Sequence, residues 1–149
     1  MQRILVADDG SDPALRAVSV AAELAAQAGA ELVALAIVDP TEFRRADVAA
    51  FARSEQLEEG GALAGLVDAA TGYLERCRTI AAEAGVARFR AEKRAGADPV
   101  SAILDFARDH RTDLIVVGSR GRGRLPGLLL GSVSQKLASH APCSVLIAR

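Results

Sequence analysis

The sequence predicts an α/β fold in which an open, doubly wound, mainly parallel sheet of five strands carries helices on both faces. Two observations predict it. Short apolar runs alternate with longer runs of helical periodicity along the 149 residues, the order that builds right-handed β-α-β crossovers. One apolar run, Leu114-Ile-Val-Val117, passes through a glycine-containing stretch into a helix-like segment opening at Gly131-Ser132. Strand, glycine loop and helix N-terminus in that order bring backbone N–H groups together, as phosphate recognition requires.

Composition agrees with a packed α/β layer. Half of the residues are apolar and only 3% are aromatic, so the core is expected to be mostly Ala, Leu and Val. Ala-rich helices lie close to a sheet. The length suits one hydrophobic core, and residues 1–149 read as a single domain without internal repeats. A net charge of −1 speaks against nucleic-acid binding. No apolar stretch reaches 18 residues, so no membrane span is expected. The N-terminus enters a strand-like segment without a signal-peptide cleavage pattern. The two cysteines, Cys77 and Cys143, make neither a disulfide framework nor a metal-ligand set. Together these features point to a cytoplasmic location.

The elements follow in order. Ile4-Leu-Val-Ala7 is the first strand. Asp9-Gly10-Ser11 turns into a helix over 13–28, with Ser11 as cap, Pro13 in its first turn and Gly29 at its end. Residues 32–38 are continuously apolar and read as a strand buried on both faces. In 39–61, Phe43, Val48 and Phe51 suggest a short amphipathic helix, and Glu58-Glu-Gly-Gly61 a break. Over 62–84, Leu63, Leu66, Val67, Ala70, Leu74, Cys77 and Ala81 keep one helical face apolar, and Gly85 ends it. Residues 86–93 alternate weakly and read as a more exposed strand. Asp98-Pro99 starts a helix, Asp98 as cap and Pro99 in its first position, followed by Val100, Ile103, Leu104 and Ala107 at helical spacing. Residues 114–117 are the fourth strand, 118–130 the loop, 132–139 a short helix and 144–148 the last strand.

Ligands of such Rossmann-like sheets bind beyond the carboxyl ends of the strands. The segments 8–11, 37–39 and 118–134 are expected to meet there. Gly118 and Gly121 are either turn glycines needing positive φ or, with Gly131-Ser132, a phosphate loop; the combined spacing favours the loop. Ser132-Val-Ser-Gln135 also fits a capping box with Ser132 as cap. Asp9 is either a turn residue or a partner for a ribose hydroxyl or Mg2+. Side chains alternate along an extended segment, so of Asp8 and Asp9 one is expected in the site and the other elsewhere. Arg120, Arg122 and Arg124 are solvated or pair with phosphate oxygens. His110 and His140 read as structural or surface groups, and Cys77 and Cys143 as buried.

The spacing Gly118-x2-Gly121-x9-Gly131-Ser132 resembles the nucleotide loop of the universal stress protein family, in its ATP-binding branch. The resemblance extends to the segments 4–11, 96–99, 113–121, 129–134 and 140–143. It implies an adenine nucleotide alpha hydrolase-like fold and a stress-response or regulatory module binding ATP, with Mg2+ as an option. It further implies that Asp9 holds the ribose or metal and that Ile37 lies against adenine. Val117 and Gly118 would flank the ribose. Arg120, Gly121, Gly131, Ser132, Val133 and Ser134 would surround the phosphates. Family members are commonly homodimers paired through the last strand. Position 8 is usually uncharged in the family, so Asp8 departs from the pattern.

Other readings are weaker. A non-nucleotide interaction protein of the same fold lacks a reason for the glycine motif. A phospho-acceptor receiver domain shares the acidic pair Asp8-Asp9, but its acceptor Asp after a third strand and its Lys after a fifth are missing. No G-x-G-x-x-G and no Gly-Lys-[Ser/Thr] occur. No general base with a partner is visible, so any ATP hydrolysis is expected to be slow.

Overall fold

The computed structural model describes residues 1–39, 41, 61–121 and 130–149. The helix expected around Phe43, Val48 and Phe51, the break at 58–60, Arg122 and Arg124 lie outside the described residues. In chain order the described elements are β1 (Arg3–Ala7), α1 (Asp12–Ala28), β2 (Glu31–Val38), α2 (Gly61–Glu83), β3 (Arg88–Ala95), α3 (Pro99–Asp109), β4 (Leu114–Gly118), α4 (Ser132–His140) and β5 (Ser144–Ala148). The five strands form one sheet of order β3-β2-β1-β4-β5. Every pairing is parallel. A receiver would place its strands in the order 2-1-3-4-5, so this topology removes that alternative.

Strand parity sorts the core into two layers. Ile4, Val6, Leu32, Ala34, Ala36, Leu114 and Val116 face α1 and α2. Leu5, Val33, Leu35, Ile115 and Val117 face α3 and α4. Central strands buried on both sides read as continuous apolar runs, which is why β1, β2 and β4 stand out in the sequence. Burying each Ile, Leu or Val here contributes about 2 kcal/mol. On α1 the buried face is Ala14, Ala17, Val18, Ala21, Ala22 and Ala25, small enough for close approach to the sheet.

The helix ends follow their sequence signals. Ser11 caps α1, accepting from the Ala14 N–H at 3.3 Å, and Gly29 ends it in the left-handed conformation with φ 60°. Asp98 caps α3 through the N–H groups of Val100 and Ser101. The Ser101 hydroxyl also donates to Asp98 at 2.6 Å, and these bonds hold its carboxyl below the usual carboxylate range. Asp113 accepts from the N–H groups of Gln2 and Arg3 and so fixes the start of β1 beside β4.

The two edges of the sheet differ in character. β3 carries Arg88, Arg90, Lys93 and Arg94 around Glu92, and every one of its residues is exposed or half-buried. β5, Ser-Val-Leu-Ile-Ala, is apolar with half-buried central residues. Among the described residues no helix is long and apolar enough to cross a membrane.

Candidate functional site

The chain runs from β1 outward to β2 and β3, then returns to β4 and β5 on the other side of β1. The crossovers therefore diverge between β1 and β4, and a crevice opens there at the carboxyl ends of the strands. A cleft of about 440 Å3 occupies this place, within the range of small-ligand sites. Its floor is Ala7, Leu35, Ile37 and Val117, and its rim includes Asp9, Asp39, Arg120 and Gly121. One wall is Gly131 to Gln135 at the start of α4, and the other is Pro99 and Ile103 of α3.

All ten residues expected at the site, Asp9, Ile37, Val117, Gly118, Arg120, Gly121, Gly131, Ser132, Val133 and Ser134, border this one cleft. Their individual geometries differ from the expectations in three respects.

The glycines do not serve positive φ. Among the described glycines only Gly10, Gly29 and Gly85 have it. Gly118 instead abuts α1: a Cβ there would lie 2.6 Å from the Pro13 carbonyl carbon. Gly121 abuts Asp9: a Cβ would lie 2.6 Å from Oδ2. Gly131 abuts the start of its own loop, with a hypothetical Cβ 3.3 Å from the Arg120 Cα.

The expected capping box is absent. Gly131, not Ser132, is the cap residue of α4, and no side chain caps the helix. The helix begins one residue earlier than the Ser-x-x-Gln spacing suggests, so Ser132 lies inside the first turn. The Gln135 N–H bonds the Gly131 carbonyl at 3.0 Å. The N–H groups of Ser132, Val133 and Ser134 precede that bond in the ladder, as helix starts require. They point at the cleft mouth with the positive end of the helix dipole.

The Ser134 hydroxyl is a clip. It is buried and reaches the carbonyl oxygens of Ser119 at 3.2 Å and Gly131 at 2.9 Å. The Gly131 N–H also donates to the Ser119 carbonyl at 2.7 Å. These bonds close the glycine loop at its base, with its two ends pinned beside β4.

The acidic pair splits as parity requires. Asp9 turns to the cleft, where Oδ1 accepts the Ser11 N–H at 3.0 Å. Asp8 also borders the cleft, but its carboxyl turns to the opposite layer and the residue is 3% exposed. It accepts the Gly10 N–H at 2.8 Å and the Cys77 thiol at 3.3 Å. Burial pushes Asp8 above the usual carboxylate range and, together with the Asp8 charge, pushes the Cys77 thiol far up. Cys77 is thus an un-ionised core thiol. Cys143, expected to be buried, is half-buried.

Sequence reasoning placed Asp39 here only as part of the segment 37–39, and did not assign Pro99, Ile103 or Gln135 to the site. Asp39 ends β2 and accepts the Thr41 N–H and hydroxyl, both at 2.7 Å. Pro99 was legible as a helix start, and every helix start after a strand of this sheet lies on the cleft side. The histidines are structural or superficial, as expected. His110 stacks on Phe106 at 3.9 Å between ring centroids, and His140 is exposed on α4.

The model of the universal stress protein family matches residues 1–149. A Thermus aquaticus relative, a universal stress protein in the QAH/OAS sulfhydrylase 3′ region, is 39% identical, covering 98% of this chain and 97% of that one. Universal stress protein YxiE of Bacillus subtilis is 34% identical over 99% and 98% of the two chains. Among solved structures, a universal stress protein in complex with cAMP superposes with a TM-score of 0.74 at 28% identity, over 99% of this chain and 97% of that one. One from Archaeoglobus fulgidus in complex with dAMP reaches 0.70 at 20% identity, over 100% and 98%, and shows the shared fold.

Proposed function

This chain belongs to the universal stress protein family, and from that membership we propose that its cleft binds an adenine nucleotide, ATP, as part of a stress-response or regulatory module. The observation that carries the reading is the convergence at one crevice of Asp9, the pinned glycine loop and the open N–H groups of α4. The related protein solved with cAMP supports an adenine nucleotide in this fold.

In this reading the phosphates sit against the α4 N-terminus, where three N–H groups and the helix dipole favour negative charge. Arg120 at the rim supplies a counter-charge. Ile37 and Val117 offer the adenine an apolar seat, with backbone at the end of β2 reading the base edge. Asp9 accepts a ribose hydroxyl or holds Mg2+. The acidic rim of Asp9 and Asp39 fits an oxygen-seeking cation that arrives with the phosphates. Among the described residues the cleft contains no nucleophile–base pair, and in this reading the role is nucleotide sensing with hydrolysis at most slow. Two copies associate through β5.

Calorimetric titration with ATP and GTP tests the assignment. ATP is expected to bind at least tenfold more tightly, because an edge-reading site leaves polar groups unpaired against the wrong base. Equal affinities would reject the adenine seat. No heat with either nucleotide would favour the interaction-protein reading instead.

A further inference from the structure

The structure contains a carboxyl that the nucleotide reading does not use. Asp8 is the continuation of the β1 layer facing α1 and α2, one residue before the cleft carboxylate Asp9. Its two acceptor contacts run in different directions. One holds the Gly10 N–H at 2.8 Å, within the β1–α1 turn. The other holds the Cys77 thiol at 3.3 Å, on α2 and 69 residues away.

The same stretch of α2 grips the turn twice more. Tyr73 lies so close over Gly10 that a Cβ there would be 2.3 Å from its ring. The Arg76 guanidinium sits 5.4 Å over the Tyr73 ring and its charge favours the ionised Asp8. Tyr73, Arg76 and Cys77 stand at i, i+3 and i+4, so they share one helix face. Gly10 has φ +80°, a conformation that leaves the turn dependent on its anchors.

Asp9 is therefore held from both sides. Its own carboxylate takes the Ser11 N–H and lies against Gly121. The peptide that follows it is held by Asp8. We propose that Asp8, tied to α2 through Cys77, is a positioning residue that fixes where the Asp9 carboxylate meets the ribose of the bound nucleotide. This rests on the nucleotide reading of the cleft. Asp8 acts through Asp9 and touches no ligand, so removing it weakens the ribose contact and leaves base and phosphate contacts in place. A buried carboxyl is a costly way to hold a turn. Its retention next to a thiol donor makes sense where the turn's geometry matters more than its stability.

The test compares ATP with 2′,3′-dideoxy-ATP, which lacks both ribose hydroxyls, by calorimetry on the full chain. The parent protein is expected to prefer ATP by about tenfold, the scale of one charge-assisted hydrogen bond. In Asp8→Val that preference should fall to near unity through loss of ATP affinity alone, while the melting temperature at neutral pH rises. Cys77→Ala should reduce the preference, and Cys77→Ser, which restores a donor, should keep it. The cysteine pair stands as the test should the valine variant not fold. An unchanged preference in Asp8→Val, or the same preference in Cys77→Ala and the parent, would overturn the proposal. A parent that binds ATP without ribose preference would overturn it and leave the nucleotide site standing. A parent that binds neither nucleotide would overturn both.

Discussion

At the scale of single residues, the cleft depends on where a Cβ is missing. Gly121 leaves room for the Asp9 carboxylate at a point where any side chain would collide with Oδ2. Gly121→Val is expected to displace Asp9 and lower nucleotide affinity at least tenfold in calorimetry, with far-ultraviolet circular dichroism unchanged. Full affinity in that variant would place the ligand away from Asp9. Asp8 gives a second prediction, in stability. Its folded-state pKa lies above 3.8 because burial outweighs the Gly10, Cys77 and Arg76 contributions, with Asp9 adding to the rise. The folded chain thus keeps a proton that the unfolded chain has released. Stability from this group is full below pH 3.8 and is lost as pH rises through the folded pKa. Asp8→Val removes that slope. Its melting temperature should gain on the parent as pH rises above about 4, and a difference that does not change with pH would show that folding does not raise the Asp8 pKa.

At the scale of elements, most of the fold was legible because each local signal stood alone. Ser11, Asp98 and Pro99 marked helix starts, Gly29 and Gly85 marked ends, and the apolar runs of β1, β2 and β4 needed no partner to be read. Asp98→Ala removes three hydrogen bonds at the start of α3 and is expected to cost about 1 kcal/mol. That corresponds to about 3 °C in melting temperature for a chain of this size, and thermal denaturation measures it. No loss would mean that Pro99 alone sets the helix start. The start of α4 at Ser132 was legible, but its cap is Gly131 and not Ser132, which the Ser-x-x-Gln spacing favours. What decides it is the bond from the Gly131 N–H to the Ser119 carbonyl, and no sequence window contains that pairing. The same limit hid the partner of Asp8. Parity foretold that one aspartate of the pair would leave the site, but Cys77 is recruited by the packing of α2 against β1. Gly118, read as a turn or ribose residue, is glycine because α1 presses on β4, again a contact between distant segments.

At the scale of the whole molecule, the remaining expectation concerns assembly. The final strand lies at the sheet edge, where unpaired N–H and C=O groups invite another strand. A homodimer formed by antiparallel pairing of β5 with its two-fold mate should scatter light as about 31 kDa, twice the 15.5 kDa of the chain, at tens of micromolar. Leu146→Pro removes one ladder donor and should shift the mass toward one copy. A monomeric parent would remove the dimer, and a dimer that survives the proline in a folded variant would move its interface elsewhere.

The unlike edges of the sheet have a consequence for how far such growth can go. At β3 an approaching strand meets Arg88, Arg90, Lys93 and Arg94, and a second β3 would bring like charges face to face. Cationic edge strands of this kind repel additional strands. If copies join, they join apolar rim to apolar rim, and the act of joining uses up the apolar one of the two sheet edges. The product is a ten-stranded sheet with two basic banks, complete after a single event. Concentration can fill that state but cannot lengthen it. Raising the concentration of such a chain would thicken the solution with pairs and never with fibres.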